Sequence, residues 1–277
     1  MRRFIVQLEL LIKRKSFLLT LSIMSIYSIA VFVINCVTFY NNDIVTVKAA
    51  QYLYLGSDFL DLPFVIYSLV FPIISTIPFS DSFFEERKNN TLEFCIMRES
   101  NIVYYFSKLF AVFFSGFIVT ATPLLINMLL NFIAFPLDSY IDATNFTYVR
   151  SHLFEDVMET GLFSDLFARN MYLYNLLYLF LGSFVSGLIS VIVYQFSFFY
   201  KESRILLLCS FFAVYHFITI ILNVIDANEF CVNNYIFASM FYSGQTVRGM
   251  VVTFILIGIA AILPIPFSLK RLNKNYE

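Results

Sequence analysis

The chain has 277 residues, of which 60% are hydrophobic, 19% aromatic and only 13% charged, with a formal net charge of −1. Soluble globular chains carry roughly 25% charged residues. With 35 Phe, 18 Tyr and a mean hydropathy of +0.79, this composition excludes that class. It also argues against nucleic-acid binding, because no basic cluster is long enough or attached to a soluble module. What remains is an all-α integral membrane protein, read as a single domain over residues 1–277.

In chain order, residues 1–16 begin with Arg2 and Arg3 but lack the short apolar run and small-residue cleavage site of a signal peptide. Phe4, Leu8, Leu11 and Ile12 share one face at helical spacing, which predicts an amphipathic helix lying in the membrane interface. Lys13, Arg14 and Lys15 then hold the start of the first span in the cytoplasm. Six apolar segments follow, at about 17–39, 60–80, 106–136, 171–198, 205–225 and 247–268. Each is near the ~20 residues needed to cross about 30 Å of hydrocarbon. Pro72, Pro78, Pro123, Pro264 and Pro266 are the expected kink sites.

Charge sets the expected orientation. The N-terminal segment, the 81–108 loop, the 199–204 loop and the tail hold 14 of the 18 Lys and Arg residues. Positive-inside then predicts a multi-pass plasma-membrane protein with both termini in the cytoplasm, which an even number of spans requires.

On the expected outer side, residues 137–170 hold six acidic residues against Arg150 and Arg169. Leu153, Val157, Leu162 and Leu166 approximate one stripe, with Ser151 and Ser164 as candidate caps. One or two short amphipathic helices are predicted there. Its acidity fits an outer mouth, or simply what is left once Lys and Arg are held inside. The connection at about 226–246 is too apolar for a free loop and reads as a hairpin or re-entrant element, which other protein must cover. In span four, Gly182, Ser183, Ser186, Gly187 and Ser190 form small-xxx-small pairs that allow close helix contact.

Few polar residues lie inside the spans. Asn127 and Asn131, four apart on span three, and His216 in span five either line a substrate path or hydrogen-bond between helices. Cys36 and Cys231, both near the outer face, are either unpaired apolar residues or a disulfide. With no CxxC pair, metal binding is not expected. No charged residue falls clearly at mid-bilayer, which disfavours proton- or sodium-coupled transport. No protease signature and no phosphate-binding loop occur, so the chain is not read as an enzyme, and no cofactor is expected on it.

The longest polar interruption on the expected cytoplasmic side is Asp81-Ser82-Phe83-Phe84-Glu85-Glu86-Arg87-Lys88-Asn89-Asn90-Thr91-Leu92-Glu93. Asn90 with Glu93 three residues on resembles a capping box, predicting a short helix at about 91–100 that seats Leu92, Phe94 and Ile96 and exposes Arg98 and Glu99. This stretch, followed by Lys108, and the lead Glu9 to Phe17 are similar to the ABC-2 type transporter permease subunits (type V ABC exporter transmembrane domain). The six-span layout resembles the same family. Asn90 stands where that family often has Gly, and Met97-Arg98-Glu99-Ser100 replaces its usual Pro-Val-Ser sequence.

The resemblance implies that residues 81–105 form the cytoplasmic coupling region. Asp81, Glu85, Glu86, Arg87, Thr91, Leu92, Glu93 and Arg98 would dock a coupling helix into a groove on an ATP-binding subunit. It further implies two such subunits, which hold the ATP and Mg²⁺, a second copy or related permease, and export. The aromatic spans suit a hydrophobic or amphipathic substrate. The acidic outer loop suits a cationic one, such as an antimicrobial peptide; a drug, a lipid or a glycan fits the same residues. A non-transporting membrane scaffold or sensor is the alternative reading.

Overall fold

The computed structural model describes residues 2–42, 47–55, 62–89, 100–137, 161–199, 203–238 and 245–274. Its elements are α1 (Arg2–Lys13), α2 (Lys15–Thr38), α3 (Leu62–Thr76), α4 (Ser82–Lys88), α5 (Asn101–Ala134), α6 (Ser164–Arg169), α7 (Met171–Ser197), α8 (Arg204–Val224), α9 (Asn233–Ile236), α10 (Val247–Ile262) and α11 (Ile265–Lys274). Short 3₁₀ turns at Ala50–Tyr52 and Asn228–Phe230 complete an all-helical fold among the described residues.

Among the described residues, five helical segments are long and apolar enough to cross a membrane: Lys15–Thr38, Asn101–Ala134, Met171–Ser197, Arg204–Val224 and Val247–Asn273. The sequence predicts six. The missing one is α3, whose 15 residues extend only about 22 Å at 1.5 Å per residue. It is continued by turns, with Ile77 N–H on the Ile73 carbonyl and Ser80 N–H on that of Thr76. Pro72 and Pro123 lie inside continuous helices. Pro264 falls in the turn that separates α10 from α11.

The centre of the bundle is the pair α5 and α7. Their apolar windows are 50% and 67% buried, against 28% for α2, 11% for Val247–Asn273 and 6% for α8. Small residues make this contact. A Cβ on Gly116 would stand 2.7 Å from the Ser186 carbonyl oxygen, and one on Gly187 would stand 2.7 Å from the Phe113 ring. The small-residue run of span four is therefore spent within the chain. Hydroxyls fill the seam: Thr120 Oγ1 lies 2.7 Å from Ser186 Oγ, which lies 2.8 Å from Ser75 Oγ on α3. The Ser190 hydroxyl donates to the Ser75 carbonyl at 2.5 Å. In an apolar surrounding such contacts satisfy groups that would otherwise be unpaired.

The apolar connection predicted at about 226–246, as a hairpin or re-entrant element, is partly helical and packed on the bundle in its described part. Helix α8 ends with Asp226 in the left-handed region (φ 59°). Ala227 N–H reaches the Leu222 carbonyl at 2.9 Å and Asp226 N–H that of Asn223 at 3.3 Å, a Schellman cap with Asp in place of Gly. After α9 the Phe237 ring sits among Phe64, Tyr67 and Phe71 of α3, with centroids at 5.2, 6.0 and 5.6 Å. A Cβ on Gly182 of α7 would meet the Ile236 carbonyl oxygen at 2.9 Å. The cover that this apolar segment needs comes from α3 and α7 of the same chain.

Ser164 is not a cap. The α6 N-cap is Phe163, which holds a left-handed conformation (φ 62°, ψ 32°) and makes no side-chain cap bond. Asn170 caps α7 instead, its Oδ1 accepting from the N–H groups of Tyr172 and Leu173 at 3.0 and 3.1 Å. Residues 138–160 of the predicted outer loop, including Ser151, Leu153 and Val157, lie outside the described residues. Cys36 and Cys231 are both free thiols.

Candidate functional site

The chain's charges gather at one end of the bundle, around α4. Helix α1 reaches it by running across α5. Phe4 packs edge-on against Phe110 and Phe114 at 6.2 and 6.1 Å, and Leu11 is buried. Ten residues on, Arg14 lies over the Phe79 ring at 5.1 Å, and Lys108 of α5 lies 5.8 Å from the same ring. About 15 Å of α1 therefore spans less than two turns of α5.

Arg14 is extended (φ −74°, ψ 127°) and separates α1 from α2. Its guanidinium reaches Asp81 Oδ1 and Glu85 Oε2, each at 2.8 Å. From the far side Arg204, the first residue of α8, pairs through Nε with Asp81 Oδ2 and through Nη1 with Glu85 Oε1 at 3.0 Å. Two guanidiniums and two carboxylates thus alternate in a closed, neutral ring. The Asp81 side chain is fully buried at its centre. Burial pushes the Asp81 carboxyl above the usual carboxylate range, against the opposing pull of Arg14 and Arg204.

Immediately after Glu85, Glu86 pairs with Lys108, whose side chain is wholly buried. The Lys108 ammonium donates to the Tyr104 hydroxyl at 3.2 Å, and that hydroxyl donates to Glu86 Oε2. The third turn-face of α4 is apolar: Phe83 stacks on Phe198 at 3.7 Å with 19° between the rings. Phe198 in turn meets Tyr105 and Tyr194 at 5.7 and 5.3 Å. Seven residues of helix are therefore bonded to the α1–α2 junction, α5, the end of α7 and the start of α8. A buried ion such as Asp81 or Lys108 locks a geometry through its pairing, because withdrawing one partner leaves the other without its counter-charge.

Of the residues expected at the coupling site, Asp81, Glu85 and Glu86 come together here, and their bonds are to this chain. Arg87 lies over the Phe84 ring at 6.0 Å. Thr91, Leu92, Glu93 and Arg98, with the predicted helix at 91–100, lie outside the described residues. Sequence reasoning missed Arg14 and Arg204 as partners of Asp81, and Lys108 as partner of Glu86. A lone Lys inside the apolar helix Asn101–Ala134 was the available signal, since such a cation demands a carboxylate.

Asn127, Asn131 and His216 are engaged between helices. Asn127 Nδ2 donates to the Ser28 carbonyl at 2.9 Å, and its Oδ1 accepts from Leu55 N–H at 2.9 Å. Asn131 Nδ2 donates to the Asn127 carbonyl at 2.8 Å, and Asn35 Nδ2 donates to the Leu53 carbonyl at 3.1 Å. These amides bind α2, α5 and the 53–55 turn together. His216 Nε2 lies 2.9 Å from the Leu69 carbonyl of α3, next to Ser68, whose carbonyl loses its helical donor to Pro72.

Comparison with protein-family models, with characterised proteins and with solved structures finds no match for this chain.

Proposed function

We propose that this chain is the membrane-spanning permease subunit of an ATP-driven exporter of the ABC-2 type. On this reading α2, α3 with its following turns, α5, α7, α8 and α10–α11 are six spans, and both termini and α4 face the cytoplasm. A second permease copy pairs with it. Two separate ATP-binding subunits supply ATP hydrolysis with Mg²⁺. The cargo is hydrophobic or amphipathic, and the acidic 137–170 segment favours a cationic peptide.

The observation that carries this reading is the bonding of α4. A two-turn helix directly before the motif-bearing segment 90–99 is clamped through Arg14, Arg204 and Lys108 to the heads of three long helices. A push on that segment would be delivered to all three at once, which converts closure of an ATPase pair into tilting of spans. The strong Lys and Arg bias toward this end supports the orientation.

The test is co-purification of the full chain from its native membrane with an ATP-binding-cassette ATPase, followed by Glu93→Lys. The expected outcome is loss of the ATPase and of cargo efflux. Failure of any such ATPase to co-purify, or full association and efflux in the variant, overturns the proposal.

A further inference from the structure

We infer that α8 is a swinging arm, pivoted near its middle and latched at its Arg204 end, so that opening the ion ring releases that end from the bundle.

The inference begins from how little holds α8. Only Leu207 of its 21 residues is buried. Its exposed Ile205, Leu206, Val214, Phe217, Ile218 and Ile220 sit equally well against lipid or protein. Between lipid-embedded helices there is no hydrophobic force to draw them together, so packing and polar bonds must do so. Helix α8 lacks the packing that joins α5 to α7.

Its polar bonds fall at two levels. In the middle, the Tyr215 hydroxyl donates to Asn233 Oδ1 at 2.5 Å and His216 Nε2 meets the Leu69 carbonyl at 2.9 Å. These neighbouring residues tie α8 to α9 and to α3, and the Schellman cap at Asp226 ends the helix and turns the chain toward α9. At the near end stands Arg204. The stretch from Arg204 to Val214 is a lever of about 16 Å secured by one guanidinium, the buried Leu207 and the half-buried Phe211.

The ring is built asymmetrically. The Arg14 and Asp81 side chains are 12% and 0% exposed, but Arg204 and Glu85 are 34% and 41% exposed. Water reaches the Arg204–Glu85 bond and replaces it at small cost, whereas the Arg14 side and the Asp81 carboxylate are sealed. When Arg204 leaves, Asp81 and Glu85 keep Arg14, but the buried Asp81 Oδ2 loses its partner, and that cost is what latches the arm in the closed ring. The ring opens at one place.

Double electron–electron resonance on the full chain in nanodiscs tests this, with spin labels replacing exposed Ile102 of α5 and Ile205 of α8 in a cysteine-free background. The expected result for Arg204→Ala is a new, longer-distance population absent from the parent. A second pair, Ile133 with Val224 at the other end of the same helices, is expected to keep its distance. An unchanged Ile102–Ile205 distribution, or equal broadening of both pairs, overturns the inference. Should Arg204→Ala fail to fold, Arg204→Lys is read by the same criteria, with a smaller new population expected.

Discussion

At the residue scale the sharpest consequences come from charge without water. Lys108 is wholly buried and Glu86 is its ion-pair partner, so Glu86→Gln removes the counter-charge of a buried ammonium that Tyr104 still accepts from. Removing one partner of such a pair costs about 3–5 kcal/mol. Denaturant or thermal unfolding in detergent is expected to show that loss, and Glu86→Gln with Lys108→Met is expected to recover most of it. A single variant as stable as the parent contradicts the pairing. Glycine offers a second contrast. Gly116→Ala drives a methyl into the Ser186 carbonyl, whereas a Cβ on Gly258 meets nothing within 4 Å. Gly258→Ala is expected to stabilise by up to about 1 kcal/mol through helix propensity, and Gly116→Ala to destabilise. The two melting shifts should have opposite signs.

At the element scale, the apolar connection after α8 and the asparagine seam are each held by one principal contact. Phe237→Ala removes the ring from among Phe64, Tyr67 and Phe71, which by the usual cost of Phe truncation is about 3–5 kcal/mol. Limited proteolysis between α8 and α10 is expected to speed up accordingly. Asn127→Ala leaves the buried Leu55 N–H without its acceptor, at about 1–3 kcal/mol, and removes the bond to the Ser28 carbonyl of α2. Asn127→Asp restores only the acceptor. Its Tm is expected to fall between those of the parent and the alanine variant.

At the scale of the whole molecule, hydropathy alone placed the long helices well. Span five, expected at 205–225, is Arg204–Val224, and span three, expected at 106–136, is Asn101–Ala134. Its start moves because Tyr104, Tyr105 and Lys108 look like loop by hydropathy but are buried against α4 and α7. The described helix of span two is Leu62–Thr76, and the turns after Thr76, which include Pro78, end it while the apolar run continues. The pairing of Asp81 with Arg14 and Arg204 joins residues 67 and 123 positions apart, and local spacing carries no trace of it. What was legible was each charge's presence; what was not was its partner.

The ring also has a chronology. Spans enter a membrane in the order of synthesis, so Arg14 is already in place when Asp81 and Glu85 emerge, and Arg204 arrives more than a hundred residues later. Until then the half-built ring carries one excess negative charge, and Glu86 waits for Lys108. A nascent chain halted after Phe199 therefore displays an unfinished electrostatic bond at the bundle's end, while the complete chain hides it. Membrane quality control could read that difference directly: the halted form is expected to turn over faster in a pulse-chase experiment, and Asp81→Asn to narrow the gap.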